Sequence, residues 1–208
     1  MHDATALTFN YAGDLAVRGN GQALDTTMLS LDLANLDPST VRDFALANFA
    51  NFALALDTDG TDLNITEITT ADVFEATIST ISGDVNIAND AIDVGLTDPA
   101  DQLAVEAAAG AVNLDNDAID VGAGSVSVTA GAGDIVDTAA DTAANITTTG
   151  GVSLSAATGS IGSTAGDEAI DVHDATQLTF DFDADLAVRG NGQALDTSLL
   201  DLGFEDID

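Results

Sequence analysis

The passage that opens this chain returns at its far end. Residues 2–37 align with 173–208 at a constant offset of 171 residues: HDATALTF reads against HDATQLTF, and DLAVRGNGQALDT recurs letter for letter at 14–26 and 185–197. Met1 aligns with Val172, and 23 of the 37 aligned positions are identical. Self-similarity at a fixed spacing marks architectures in which each unit buries its apolar face against the next. The expectation is a window on a tandem array, about one period plus an overlap. In that division residues 1–37 and 185–208 are the edges of neighbouring repeats.

A shorter period lies inside. Segments that open on Gly83, Gly110, Gly133 and Gly159 each continue Gly–small–Val or Ile: GDVNI, GAVNL, GDIVD, GSIGS. Two of them share NDAIDVG, at 89–95 and 116–122, and DEAIDV follows at 167–172. A third apolar patch completes each segment: LAVEA, SVSVTA, VSLSA and LTFDF. Period-two alternation over four or five residues is a half-buried strand. Three strands per turn of about 25 residues make the coil of a parallel β-solenoid, whose stacked turns bury one continuous apolar column. Residues 83–184 are thus expected to be all-β, a parallel β-helix. Ile92, Ile119 and Ile170 form one inward stack, Val94, Val121 and Val172 a second, and Val85, Val112, Ile135 and Ile161 a third. Asn86 with Asn113, and Asn89 with Asn116, are placed to form amide ladders that hold the register. The competing architecture is a series of antiparallel β-sandwich repeats. It is disfavoured because few connections have the two-residue Asn-Gly or Asp-Gly hairpin form.

Residues 38–82 interrupt the pattern and read as an insert. Asp37 before Pro38 is a helix-start signal, with Asp as cap and Pro in the first turn. Val41, Phe44, Ala45, Phe49, Phe52 and Leu56 then fall at helical spacing, which predicts a short helix over 38–56. A strand pattern competes for the same residues: Phe44 and Leu46, then Phe52, Leu54 and Leu56.

Charge narrows the partners. The chain has 36 acids, all but five of them Asp, against three Arg (Arg18, Arg42, Arg189) and no Lys, for a formal charge of −33. Yet 46% of its residues are apolar, so it lacks the low hydrophobicity of acid-rich disorder. An apolar interior under an anionic skin repels nucleic acid and anionic lipid, whose phosphates need Lys and Arg. The expected partners are divalent cations and other copies of the chain. No apolar run reaches the ~18 residues of a membrane span, so membrane insertion is not expected. Cys is absent, which removes disulfides and thiolate metal sites. Arg18 and Arg189, both in VRGNG, are expected to pair with a nearby Asp.

The candidate chemistry is cation binding. Asp57, Asp59 and Asp62 surround a Gly turn in DTDGTD, a fragment of a calcium loop without EF-hand spacing. Asp93, Asp120 and Asp171 sit between the inward Ile and Val of successive coils, so they form an outward carboxylate ladder. Two carboxylates about 5 Å apart repel by about 3 kcal/mol at an effective dielectric near 20, and a bridging Ca²⁺ reverses that sign. Catalysis is poorly provided for. Nucleophilic hydrolysis wants Ser or Cys beside His and an orienting acid, and the two His, His2 and His173, are repeat equivalents. Asn64-Ile-Thr and Asn145-Ile-Thr match the N-glycosylation pattern, a weak signal in so Thr-rich a chain.

The run GAGDIVDTAADTAANITTTGGVSLSAATGSIGS at 131–163 is similar to the repeats of filamentous-haemagglutinin-like exoproteins and autotransporter-type adhesins, with runs of the form G-x-[VIL]-x-[LIV]-x-[AST]. The resemblance covers about 83–190. It implies a right-handed β-helix, export to the cell surface and a stalk or adhesive role, and it carries over no functional residues. The expected function is a non-enzymatic structural module of a long extracellular repetitive protein (a stalk, filament or adhesin) that joins end to end. The alternatives are a calcium-dependent adhesive or ligand-binding β-sandwich repeat and a carbohydrate-active β-helix.

Overall fold

The computed structural model describes residues 15–18, 29–32, 42–49, 52–58, 62–70, 73–96, 101–139, 141–165, 167–192 and 201–202. In chain order, β1 (Leu15–Arg18) and β2 (Leu29–Asp32) are followed by β3 (Arg42–Phe49) and β4 (Phe52–Thr58), then β5 (Leu63–Thr70) and β6 (Val73–Thr80). From there each coil carries three short strands. They are β7 (Val85–Ile87), β8 (Ile92–Leu96) and β9 (Gln102–Ala107); β10 (Val112–Leu114), β11 (Ile119–Gly122) and β12 (Ser125–Ala130); β13 (Ile135–Asp137), β14 (Ile146–Thr147) and β15 (Gly151–Ala156). A single bridging residue, Ile161, precedes β16 (Ile170–His173) and β17 (Gln177–Phe182), and Leu186 does the same before β18 (Val188–Gly190) and β19 (Asp201–Leu202).

Every strand pair among the described residues is parallel, which excludes the antiparallel sandwich. One wall of the solenoid stacks β2, β4, β6, β9, β12, β15, β17 and β19 in that order. The other two walls share a sheet, because β5 is long enough to pair with β7 through Leu63 and Ile65 and with β8 through Ile68. Beyond β5 they part, one through β7, β10 and β13 to Ile161 and Leu186, the other through β8, β11, β14, β16 and β18.

Alternation creates the core. In β12 and β15 every second residue is buried, so Leu103, Val126, Val152 and Leu178 stack in register, and so do Val105, Val128, Leu154 and Phe180. Each such buried side chain contributes about 1.5–3 kcal/mol. Val85, Val112, Ile135 and Ile161 stack as the alignment predicts. Three of the glycines that open segments stand at tight corners. A Cβ on Gly133 would lie 2.6 Å from the carbonyl oxygen of Gly110, and Cβ atoms on Gly110 and Gly159 would collide with the carbonyls of Gly83 and Gly133.

Three expectations need correction. The helix expected over 38–56 does not form where the span is described: Arg42–Phe49 and Phe52–Thr58 are the strands β3 and β4, and no helix occurs among the described residues. The apolar positions satisfied both periods, and stacking decided between them. β3 lies between β1 and β5, and β4 between β2 and β6, so both strands are paired on both edges. Second, the segment set apart as an insert continues both sheets through β3–β6. Third, the inward stack is Ile92, Ile119, Ile146 and Val172. Ile170 lies two residues earlier.

Candidate functional site

Three groups of polar side chains organise the described surface. The first is a register ladder. The Asn86 side-chain amide donates to Asn64 Oδ1 at 2.8 Å, and that of Asn113 donates to Asn86 Oδ1 at 2.7 Å. Beside it, carboxylates accept main-chain N–H groups from the next coil: Asp62 from Asp84 (2.9 Å), Asp84 from Ala111 (2.8 Å) and Asp134 from Ser160 (2.7 Å). A coil slipped by one residue breaks these bonds together, so the ladder selects one register.

The second group is an open groove of about 320 Å³ lined by Asp90, Ile92, Asp93, Asp117, Ile119, Asp120 and Thr147. Asp93 and Asp120 are register partners on β8 and β11. Burial, followed by the charges of Asp120 and Asp90, pushes the Asp93 carboxyl above the ordinary carboxylate range. Asp90 and Asp117 turn the chain with φ of 54° and 47°, a left-handed conformation that Asp tolerates better than most residues.

The third group runs through the interior. Asn145, fully buried, donates to Asp137 Oδ1 and to the carbonyl of Asp115, both at 3.2 Å, and its Oδ1 accepts the Asp171 N–H at 2.8 Å. Asp171 in turn accepts two bonds from the Arg189 guanidinium, which also reaches Asp167 Oδ1 and the Asp141 carbonyl. These partners hold the Arg189 pKa above its ordinary value, the Asp171 bond foremost. The Asp141 carboxyl is held below the usual range, first by the Ala143 N–H and then by the Asn116 amide.

The six acids singled out from the sequence therefore separate. Asp57 lies in β4 opposite Asp32 and Ser79. Asp59 lies outside the described residues, and Asp62 is a main-chain acceptor. Asp93 and Asp120 stack as expected, but Asp171 does not join them. The residues next in register are Thr147 and His173, and Asp171 is buried against Arg189. Ile146-Thr147 stands in register with Ile119-Asp120 of the preceding coil and Val172-His173 with Ile146-Thr147, so Asp171 falls one residue before the ladder, beside Asn145.

Arg189 does pair with an Asp, and the Asn86–Asn113 ladder forms. Asn89 and Asn116 instead reach Asp90 and Asp141. The inward chain of Asp137, Asn145 and Asp171 was missed. Its one signal was the loss of apolar character at Asp137, where earlier coils have Ile87 and Leu114. The burial of Asn145 also removes it as a glycan acceptor in the folded coil.

Among the described residues, no group of three or more His, Asp or Glu side chains is placed to hold a metal ion. Nor is any helix there long and apolar enough to cross a membrane. Compared with known proteins, the chain matches no family model, no curated protein and no solved structure.

Proposed function

We propose that this chain is a non-enzymatic structural module of a long extracellular repetitive protein, a stalk, filament or adhesin whose units join end to end. The observation that carries this reading is where the duplicated passage falls. Its first copy supplies β1 and β2 and its second supplies Leu186, β18 and β19, and the two copies occupy the same walls of the solenoid. The 171-residue period thus spans a whole number of coils: along the wall from β2 to β19 the repeat equivalents Leu31 and Leu202 stand in one column, and a following unit extends that wall. A solenoid extended this way is a stiff rod whose length grows with repeat number.

The acids support the same reading. Asp62, Asp84, Asp134 and Asp171 are engaged by main-chain N–H groups or by Arg189. Calcium and other divalent cations enter as counter-ions that lower the repulsion along the Asp93–Asp120 rungs. The resemblance to exported adhesin repeats is the support for a cell-surface location.

The test is electron microscopy of the purified chain in Ca²⁺ and in EDTA, with sedimentation alongside. Uniform thin filaments in either buffer are expected. Discrete particles that sediment as a monomer at high concentration overturn the reading.

A second reading rests on the groove. A raised carboxyl beside a second acid is the arrangement that glycoside hydrolysis uses. Release of reducing sugar from a polysaccharide panel, abolished by Asp93→Asn, would favour it.

A further inference from the structure

We propose that the coil around Asn145 is a latched hinge. Two of its walls open together, the wall of β12, β15 and β17 serves as the spine, and the Arg189 guanidinium is the latch. The hinge goes beyond the end-to-end reading and stands whether or not units join.

One column of side chains changes character along the solenoid. Ala91, Ala118, Asn145, Asp171 and Arg189 stand one residue before the register partners Ile92, Ile119, Ile146, Val172 and Gly190. The first two are fully buried alanines, which need no hydrogen bond from a side chain. From Asn145 onward the same place holds polar groups, with Asn145 at 0% and Asp171 at 3% exposure. A second column turns polar in the same coil: Ile65, Ile87 and Leu114 are followed by Asp137, also buried. Asn145 donates to Asp137 and accepts the Asp171 N–H, so the polar positions form one layer. Such a layer is stable only while each member keeps its partners, because an unpaired polar group costs most where the dielectric is low.

Pairing is thinnest at the same place. Where β8 has five residues and β11 four, β14 has two. Where β7, β10 and β13 have three each, the next coil has the single bridge at Ile161. β15, by contrast, is six residues long and pairs along its whole length with β17. Two walls are weak and one is whole, so the coil can bend on the whole one. Sparse local pairing is also what lets one part of a fold open by itself.

Arg189 ties the weak walls shut. Its guanidinium takes both oxygens of Asp171, reaches Asp167 Oδ1 and the Asp167 carbonyl, and extends past β16 to the Asp141 carbonyl, 48 residues back along the chain. It thereby joins the turns that lead into β14 and β16 to β18. Without it the Asp171 carboxylate is buried and uncompensated. Opening this layer returns that charge to water and leaves the apolar layers on either side closed.

Hydrogen–deuterium exchange of the full-length chain, read by mass spectrometry, tests both parts. In the parent, amides of β14 and β16 should exchange faster than those of β8 and β11 on the same wall and of β15 on the spine. In Arg189→Ala, β14 and β16 should speed up by roughly tenfold or more, with β8, β11 and β15 unchanged. Uniform protection in the parent overturns the hinge. Equal acceleration of all five strands in the variant, or of none, overturns the latch. Arg189→Lys is read in the same way where the Ala variant does not fold.

Discussion

Arg189 closes on Asp171 with two hydrogen bonds, Nε to Oδ1 at 2.9 Å and Nη2 to Oδ2 at 2.8 Å, across the paired strands β16 and β18. The Asp171 side chain is 5% exposed, against 62% for Asp167, the guanidinium's other carboxylate. Arg189→Ala leaves a buried carboxylate without its counter-charge. We expect the melting temperature, followed by circular dichroism, to fall by several degrees. Arg189→Lys should recover part of the loss, because an ammonium cannot span both oxygens, and Asp167→Asn should change little. An Asp167→Asn loss as large as that of Arg189→Ala would refute the pairing.

Asn86 both donates to Asn64 and accepts from Asn113. Its replacement by Ala removes two rungs of the ladder and should lower stability by about 1–3 kcal/mol in urea unfolding. Asn89→Ala, which breaks only an exposed contact with Asp90, should stay within about 0.5 kcal/mol of the parent.

Gly133→Ala places a methyl group 2.6 Å from the Gly110 carbonyl oxygen. Backbone must move, and a loss of about 1–3 kcal/mol is expected. Gly151→Ala makes only an ordinary contact with the Gln177 side chain, 3.6 Å away. It should unfold at nearly the parent's urea midpoint.

Two acids should show opposite pH dependence. The Asp93 carboxyl is raised by burial and by its acidic neighbours, so the folded state binds its proton more readily than the unfolded chain does. Its charge opposes folding at neutral pH, and the penalty fades as pH falls through the raised pKa. Asp93→Asn should therefore stabilise at neutral pH, by up to about 1 kcal/mol for an exposed site, with the gain disappearing in acid. Asp141 is depressed, chiefly by the Ala143 N–H. Its contribution is present above the unfolded pKa and is lost as pH falls through the folded one. Asp141→Asn should destabilise at neutral pH and match the parent in acid. Melting temperatures taken from neutral pH down through the carboxylate range read both signs.

The proposed end-to-end joining would bring together chains of formal charge −33. Screening shortens from about 10 Å at 0.1 M salt to about 3 Å at 1 M. Assembly followed by light scattering should accelerate with salt, and further with Ca²⁺ at matched ionic strength. Slower assembly in salt would mean that ion pairs, not paired strand edges, hold the joint.

How much was legible depends on how many constraints met at one residue. Val85, Val112, Ile135 and Ile161 could be stacked from the sequence, because the Gly before each turn and the apolar residue after it must both recur. Asp171 could not be placed. Its neighbours Ile170 and Val172 imitate Ile92 and Val94, so local similarity aligned it with Asp93. The register was decided instead by Ile146, opposite Val172, and by a cation 18 residues away along the chain. Phe44 to Leu56 fitted a helix, the reading preferred from the sequence, and a pair of strands nearly as well; they are strands.

The sequence by itself determined an all-β chain of short alternating strands and favoured the solenoid, because alternating apolar residues at a recurring spacing bury one column when coils stack; parallel pairing then excluded the antiparallel sandwich. The sequence also determined the anionic surface, the glycine corners and the length of the long repeat. Only the tertiary structure decided which rungs face each other, that residues 42–49 and 52–58 are rungs at all, and that a half-exposed Arg189 leads through Asp171 to the buried Asn145. The physical reason is that a strand's partners lie a full coil away. A residue's environment is then set by the length of every turn between them, and local preference leaves those turns free to vary.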